Sequence, residues 1–181
     1  MDTNSLIQNM ISAAKLDVNF FNSVEHDESK NQEALTVVII AAVASAIGNG
    51  LAGGLMGAVF GLLMIVAGYY IWSYLAFYIG TKFFGGEADV GEVLRTFGYS
   101  YGPQVLSVLM FIPCVGAMAA LAGGIWSLVA GVIALREAMD FDTGKAILTG
   151  AIAWIIMMIA FAAIGMVLGV GAAGASALFG G

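Results

Sequence analysis

Charged residues in this chain are confined to three short segments. All 6 Lys and Arg and all 12 Asp and Glu side chains lie within residues 2–33, 82–95 and 136–145. The two stretches between these segments are apolar and rich in glycine, and each is long enough to cross a bilayer twice. Because a charged side chain at the bilayer centre is costly, the three segments mark where the chain meets water. The pattern predicts an all-α integral membrane protein.

The composition supports the same class. Hydrophobic residues make up 61% of the 181 residues and charged residues only 10%, proportions outside the usual range of soluble domains. We expect a cytoplasmic leader (residues 1–32), one membrane domain (residues 33–170) and a flexible tail (residues 171–181). The net charge of −6 argues against a nucleic-acid partner, and one Cys with one His argues against a Cys/His metal site. No cofactor is expected.

The leader carries a helical pattern of apolar residues. Ser5-x-x-Gln8 has the form of a capping box, and Ile7, Met10 and Ile11 follow at helical spacing. The spacing predicts an amphipathic helix over residues 4–22 that lies at the membrane interface, with these three side chains towards lipid. A contact face for a protein partner would produce the same pattern.

Five apolar stretches are predicted to span the membrane: residues 33–48, 55–83, 98–118, 119–135 and 144–170. Ser29-x-x-Gln32 is a second capping box before the first span, and Asp89-x-x-Glu92 is predicted to cap a short amphipathic segment that ends near Phe97. Asp142 or Thr143 is predicted to cap the last span. Pro113 predicts a kink or a stop in the third.

Five crossings place the amino terminus and both charged loops on one side of the membrane. Every Lys and Arg then lies on that side, which the positive-inside rule identifies as cytoplasmic. The carboxyl terminus falls on the opposite side. Four or six crossings would place a basic group outside, so the charge distribution favours five. The expected location is the cell membrane, with the chain crossing it several times.

Small residues recur four apart in the apolar stretches and predict close helix packing. The pairs are Gly50/Gly54, Gly53/Gly57, Gly57/Gly61, Gly116/Ala120, Ala120/Gly124 and Gly165/Gly169.

Residues 91–106 carry the most specific sequence pattern. A short loop helix is followed by Gly98-Tyr99 and then by Pro103 at the entry to the third span. Four more short motifs follow downstream: Ile112-Pro113, Trp126-Ser127-Leu128, residues 134–137 (Ala-Leu-Arg-Glu) and residues 143–146 (Thr-Gly-Lys-Ala). In order and spacing these resemble the prokaryotic branch of the Yip family, five-span membrane proteins named as interactors of Ypt/Rab GTPases. The resemblance covers residues 16–168 and implies the same five-span fold.

One motif of the eukaryotic members is missing. Those that act in vesicle traffic carry an Asp-Leu-Tyr-Gly-Pro-like motif before the first span, whereas residues 31–35 here read Asn-Gln-Glu-Ala-Leu. A Rab-binding role is therefore not implied for this chain.

The candidate site is a cluster at the cytoplasmic rim, where both charged loops are expected to converge. Its members are Glu92, Arg95, Gly98, Tyr99, Pro103, Arg136, Glu137 and Lys145. Gly98, Tyr99 and Pro103 are expected to form a fixed bend. We expect no enzyme activity, since the sole His and Cys114 fall on opposite sides and no Asp, Glu or His lies in the interior of a span.

Two function classes remain. One is a membrane organiser or scaffold that acts through its loops and helix-packing faces, with the bilayer, a second copy or another membrane protein as partner. The other is a pore or carrier for a small solute, ion or lipid. A pore would be lined by a ring of polar residues inside the spans. The polar residues in the apolar stretches are scattered instead: Ser45, Asn49, Ser73, Gln104, Ser107, Ser127 and Thr149. The organiser is therefore favoured.

Overall fold

The computed structural model describes residues 2–49 and 54–167, and all regular elements in this part of the chain are helical. The α-helices are α1 (Thr3–Ala14), α2 (Val18–Glu25), α3 (Asn31–Gly48), α4 (Gly54–Phe83), α5 (Val90–Tyr99), α6 (Val115–Ala138) and α7 (Thr143–Val167). A 3₁₀ turn, Glu28–Lys30, leads into α3, and a 3₁₀ helix, Gly102–Phe111, joins α5 to α6. The predicted end of the last span at Val170 and the predicted tail lie outside the described residues.

Four helical stretches in the described ranges are long and apolar enough to cross a membrane. They are Glu28–Gly48, Gly54–Phe83, Val115–Ala138 and Thr143–Ile164. The 3₁₀ helix Gly102–Phe111 is apolar but shorter. Large apolar side chains on the outer faces of α4, α6 and α7 are exposed, as expected of helices that contact lipid: examples are Phe60, Leu121 and Ile159.

The leader is two helices rather than the single helix predicted over residues 4–22. Leu16 has a φ of 60°, which a continuous helix does not allow, and the Asp17 side chain accepts hydrogen bonds from the first backbone N–H groups of α2. α1 and α2 therefore meet at a sharp turn. On α1, Ile7 and Ile11 are about half exposed, as the lipid-facing prediction requires, while Met10 is partly buried.

The leader packs onto the helix bundle through apolar side chains of both of its helices. Leu6 and Ala13 of α1 and Phe21 and Val24 of α2 are buried in a cluster with residues of α3, α5 and α6. The Trp126 indole N–H of α6 also donates a hydrogen bond to the Ala14 carbonyl at 2.6 Å. Apolar burial and this bond attach the leader to the bundle.

Of the predicted capping motifs, the one at α5 is confirmed in full. The Asp89 side chain accepts from the Glu92 backbone N–H at 2.8 Å, and Glu92 accepts from the Asp89 N–H at 2.7 Å. Asp142 accepts from the Lys145 N–H at 3.0 Å at the start of α7, as predicted.

The two other predicted caps are wrong. α1 is capped by Asp2 instead of Ser5, whose hydroxyl donates to the Asp2 carbonyl. Ser29 lies within the 3₁₀ turn that precedes α3, and Asp27 caps this turn. In both places an aspartate upstream of the predicted serine supplies the acceptor: Asp2 lies three residues before Ser5, and Asp27 lies two residues before Ser29.

The third predicted span, residues 98–118, is not one helix. α5 continues to Tyr99, the 3₁₀ helix occupies Gly102–Phe111, and α6 already begins at Val115. Pro103 lies in the first turn of the 3₁₀ helix, and the chain bends between Phe111 and Cys114, which has a φ of 64°. The bend follows from Pro113, which cannot continue a helix. The predicted fourth span therefore starts four residues too late.

The 3₁₀ helix lies between α3 and α6 at close range because glycines on both neighbours face it. A Cβ at Gly123 of α6 would lie 2.7 Å from the Pro103 carbonyl oxygen, and at Gly48 of α3 it would overlap the Ser107 carbonyl. At the other end Gly98 contacts Ala34 of α3. Residues 98–107 thus run alongside α3 in the same direction, over about 20 Å of its axis.

The two charged loops are in contact. The Glu87 backbone N–H donates to the Met139 carbonyl at 3.2 Å, and the Phe141 ring packs against Gly86. The carboxyl ends of α4 and α6 therefore lie at the same end of the bundle. The loop predicted over residues 136–145 is shorter in the structure, since α6 extends to Ala138 and α7 begins at Thr143.

Candidate functional site

Arg95 is buried on the inner side of α5, with only 4% of its surface exposed. Its Nε donates to the Val24 carbonyl at 3.1 Å and to the Glu25 carbonyl at 2.8 Å, and its Nη2 also donates to the Glu25 carbonyl. These carbonyls are at the carboxyl end of α2, where the helix dipole favours a cation. Arg95 therefore caps α2 and fixes the leader to α5.

The Glu25 side chain is buried beside this contact and lies among other carboxylates. It is 5% exposed, its Oε1 lies 3.1 Å from His26 Nδ1, and its Oε2 has no hydrogen-bond partner among the described residues. The pKa of Glu25 is raised to about 7, mainly by burial; His26 opposes the increase, and the charges of Asp140, Glu92 and Glu137 contribute to it. We call Glu25, His26, Glu92, Arg95, Arg136, Glu137 and Asp140 the charged face.

Glu33 forms a second polar contact where α1 meets the start of α3. Its Oε1 accepts from Asn9 Nδ2 at 2.5 Å, and its Oε2 lies 3.0 Å from Lys30 Nζ. The Tyr99 hydroxyl at the end of α5 is buried close to Glu33 and Asn9, and the Phe20 ring of α2 packs edge-on against the Tyr99 ring, with centroids 5.0 Å apart. Asn9 and Tyr99 thus tie the leader to the start of α3.

The remaining charged candidates lie at the end of α6 and the start of α7. Arg136 pairs with its neighbour Glu137, with Nη2 and Oε1 2.7 Å apart, and both side chains are largely covered. Lys145 lies with Nζ 5.7 Å from the Phe141 ring centroid, a distance at which a cation and an aromatic ring attract.

The structure brings the eight sequence-predicted residues together only in part. Glu92 and Glu137 both lie near Glu25, and Arg95 is 4.0 Å from Glu92. Gly98 and Pro103 flank the bend between α5 and the 3₁₀ helix, where Tyr99 ends α5. Lys145 instead packs on Phe141.

Sequence reasoning missed Glu25, Asn9 and Glu33. Glu25 reads as one of several charges in a solvated linker, and Asn9 as a polar residue on the outer face of α1. The available signal was indirect: α2 ends at Glu25 with no basic residue in its last turn, so its terminal carbonyls need a cation from elsewhere.

Polar side chains inside the apolar helices do not form a ring. Ser45 and Ser107 pair through their hydroxyls at 2.8 Å, and Asn49 donates to the Ser45 carbonyl at 2.7 Å. The hydroxyls of Ser73 and Thr149 are buried and have no hydrogen-bond partner within the described residues.

Comparison with known proteins gives one family match. The family model of the Yip1 domain matches residues 18–164. This match covers most of the chain, from the start of α2 to the last turns of α7. The searches of curated proteins and of solved structures return no match.

Proposed function

Because the chain belongs to the Yip1 domain family of membrane proteins, we propose that it is a membrane organiser, a scaffold without catalytic activity. It acts through the charged face and through its helix-packing surfaces, on the bilayer and on a second copy or another membrane protein. The observation that carries the proposal is the fixed assembly of the charged face, in which buried Arg95 joins α2 to α5. A preformed, rigid surface at one end of a membrane bundle suits docking.

The proposal includes five membrane crossings. Residues 98–111 form the third, since Gly98 contacts the start of α3 and Ser107 contacts its end. The contact between Glu87 and Met139 supports this, because α4 and α6 end on the same side only if the intervening chain crosses once more. A 3₁₀ helix rises about 2.0 Å per residue, so Gly102–Phe111 covers about 20 Å. Residues 98–101, which include the last two residues of α5, lengthen the crossing on the side of the charged face.

In this arrangement the charged face is cytoplasmic. The leader and both charged loops lie there with all 6 basic residues, as the positive-inside rule requires. Asn49 and Cys114 lie at the opposite end of the bundle. The location that follows is the cell membrane, with the amino terminus inside.

The pore or carrier alternative has less support. Charge-coupled transport uses ionisable groups between the spans, and the ionisable Asp, Glu, Lys and Arg residues all lie in the three charged segments. Of the polar residues in the apolar stretches, Ser45 and Ser107 bond to each other, and Asn49 donates to the Ser45 carbonyl.

Reconstitution of the full chain tests the proposal. Protein labelled with donor and acceptor fluorophores should show energy transfer in vesicles that persists on dilution with lipid, while efflux of a trapped neutral solute stays at the level of protein-free vesicles. Solute efflux from vesicles that hold monomeric protein would support the carrier instead.

A matched pair of variants addresses the charged face. Glu137→Gln should lower energy transfer, because Glu137 pairs with Arg136 on that face. Glu28→Gln changes the same charge at an exposed position of the 3₁₀ turn and should leave energy transfer unchanged. Equal effects of the two substitutions on energy transfer would show that self-association does not depend on the charged face.

A further inference from the structure

A cavity of about 570 Å³ lies between α4, α6, α7 and the segment formed by the end of α5 and the 3₁₀ helix. Its walls are aromatic and small: Trp72, Phe97, Tyr101 and Trp154 supply rings, and glycines on α6 and α7 leave the space open. The volume is in the range of about 300–1,000 Å³ typical of pockets that hold small organic ligands. It belongs neither to the charged face nor to the contacts of the leader.

The lining is uncharged. Among the described residues that line the cavity there is no Asp, Glu, Lys, Arg or His. The polar side chains are Ser100, Tyr101, Gln104 and Ser127, together with the indole N–H groups of Trp72 and Trp154. An ionised group placed here would lose its hydration without gaining a partner. The part of a ligand that enters must therefore be neutral.

The cavity opens sideways, towards lipid. On its rim Leu128, Ile147 and Trp154 are 69%, 51% and 53% exposed, whereas Trp72, Ser127 and Leu135 at its back are 9%, 6% and 1% exposed. The rim residues belong to α6 and α7, two of the helices long enough to cross a membrane. A ligand can therefore enter from the bilayer without passing through water.

One polar atom at the back of the cavity lacks a partner. The Ser127 hydroxyl is buried and makes no hydrogen bond with the described residues. A buried hydroxyl without a partner is destabilising unless another molecule supplies the missing bond. Within an apolar chamber that opens to lipid, an uncharged oxygen of a lipid would supply it.

We propose that this cavity binds a neutral lipid, one with an apolar body and an uncharged hydroxyl or carbonyl group that hydrogen-bonds to Ser127. The aromatic walls contact the apolar body, and the absence of lining charge excludes a phosphate-bearing headgroup from the chamber. Such a ligand would fill the space between α7 and the 3₁₀ helix.

The test uses the full chain in phosphatidylcholine vesicles that contain a small fraction of a photoreactive, clickable diacylglycerol. Irradiation should label peptides from α6 and α7 that line the cavity, and excess unlabelled diacylglycerol should compete. A photoreactive phosphatidylcholine with the same chains is the parallel probe. Equal labelling by that phospholipid would show that any bilayer chain occupies the space, and would overturn selection for a neutral lipid.

Two glycine variants provide the matched comparison. A Cβ at Gly124, which lines the cavity, meets nothing within 4 Å, and the same is true at Gly68 of α4, which does not line it. Gly124→Leu should abolish most labelling and Gly68→Leu should not. Labelling that survives Gly124→Leu unchanged would place the lipid elsewhere.

Ser127→Ala tests the hydrogen bond. It should weaken diacylglycerol labelling about 3- to 10-fold, the change that corresponds to one neutral hydrogen bond. The melting temperature of the lipid-free protein should stay the same or rise, because the variant no longer buries an unpaired hydroxyl. A lower melting temperature without lipid would show that the hydroxyl has a partner in the protein, and unchanged labelling would exclude its contact with the ligand.

Discussion

At the residue scale, the charged face depends on a guanidinium that is shielded from water. Arg95 is one of the few charged side chains that the fold buries, and its hydrogen bonds go to backbone carbonyls, with the Glu92 carboxylate 4.0 Å away. Its rigid, planar guanidinium holds Nε and Nη2 in a fixed geometry towards two adjacent carbonyls, whereas an ammonium group is a point charge on a flexible stem. This explains why a basic residue of α5 controls the position of α2.

Arg95→Ala should therefore release the leader. Loss of hydrogen bonds from a charged donor is expected to cost about 2–3 kcal/mol, with faster amide exchange in residues 18–25. Arg95→Lys should give an intermediate effect, because one ammonium serves the carbonyls less well. Unchanged exchange in both variants would mean that apolar packing alone holds α2.

The attachment of α2 should also depend on pH. The pKa of Glu25 is raised to about 7 by burial and by the facing carboxylates Glu92, Glu137 and Asp140, against His26. A carboxyl whose pKa is raised on folding stabilises the folded state at low pH, and this contribution is lost as pH rises through about 7. Amide exchange in residues 18–25, corrected for intrinsic rates, should therefore be faster at pH 8 than at pH 5.

Glu25→Gln is the control for this dependence. The amide keeps the shape of the side chain and cannot ionise, so exchange in α2 should no longer change across the same pH range. A pH effect that persists in Glu25→Gln would assign it to another group of the charged face.

At the scale of elements, glycine positions decide how closely the helices approach. On α6, Gly116 and Gly123 face the 3₁₀ helix so closely that an added methyl group would overlap its backbone, whereas adjacent Gly124 faces open space. Of the two glycines in the predicted ridge on α6, only Gly116 faces the 3₁₀ helix, and Gly123, which lies outside that ridge, makes the second close approach. Long 3₁₀ helices are uncommon. Here the close packing of α3 and α6 on either side accounts for the length of this one.

Adjacent glycines allow a direct test of this packing. Gly123→Ala should lower stability by about 1–3 kcal/mol, since the methyl group meets the Pro103 carbonyl. Gly124→Ala should be neutral or stabilising by up to about 1 kcal/mol, because alanine is the better helix former. Melting temperatures in detergent measure both. A neutral Gly123→Ala would show that the 3₁₀ helix can shift away.

At the scale of the whole molecule, the number of membrane crossings determines which side of the membrane each exposed segment faces. If the chain crosses five times, Cys114 in the exposed bend before α6 lies opposite the charged face. A membrane-impermeant thiol reagent should then label the native protein at Cys114 only from the outer side.

Engineered cysteines complete the map. In a Cys114→Ser background, cysteines at Glu28, Asp89 and Asp140 should react only from the cytoplasmic side, and one at Asn49 only from the outer side. Reaction of the Asn49 position from the cytoplasmic side would contradict five crossings.

The sequence alone determined the properties that depend on solvent and on local geometry. Charge is excluded from hydrocarbon wherever it occurs, so the three charged segments predicted a membrane protein with several apolar helices. The cap formed by Asp89 and Glu92 was equally predictable, because its atoms lie within one turn.

Only the tertiary structure decided what depends on approach between distant residues. Arg95 and Glu25 are 70 positions apart, and no local pattern indicates that one caps the helix of the other. Ser127 and Trp154 line one cavity through the packing of α6 against α7. Helical periodicity predicts which residues share a face of a helix. Which other helix packs against that face depends on how all the helices pack together, because burial is a property of the assembled bundle.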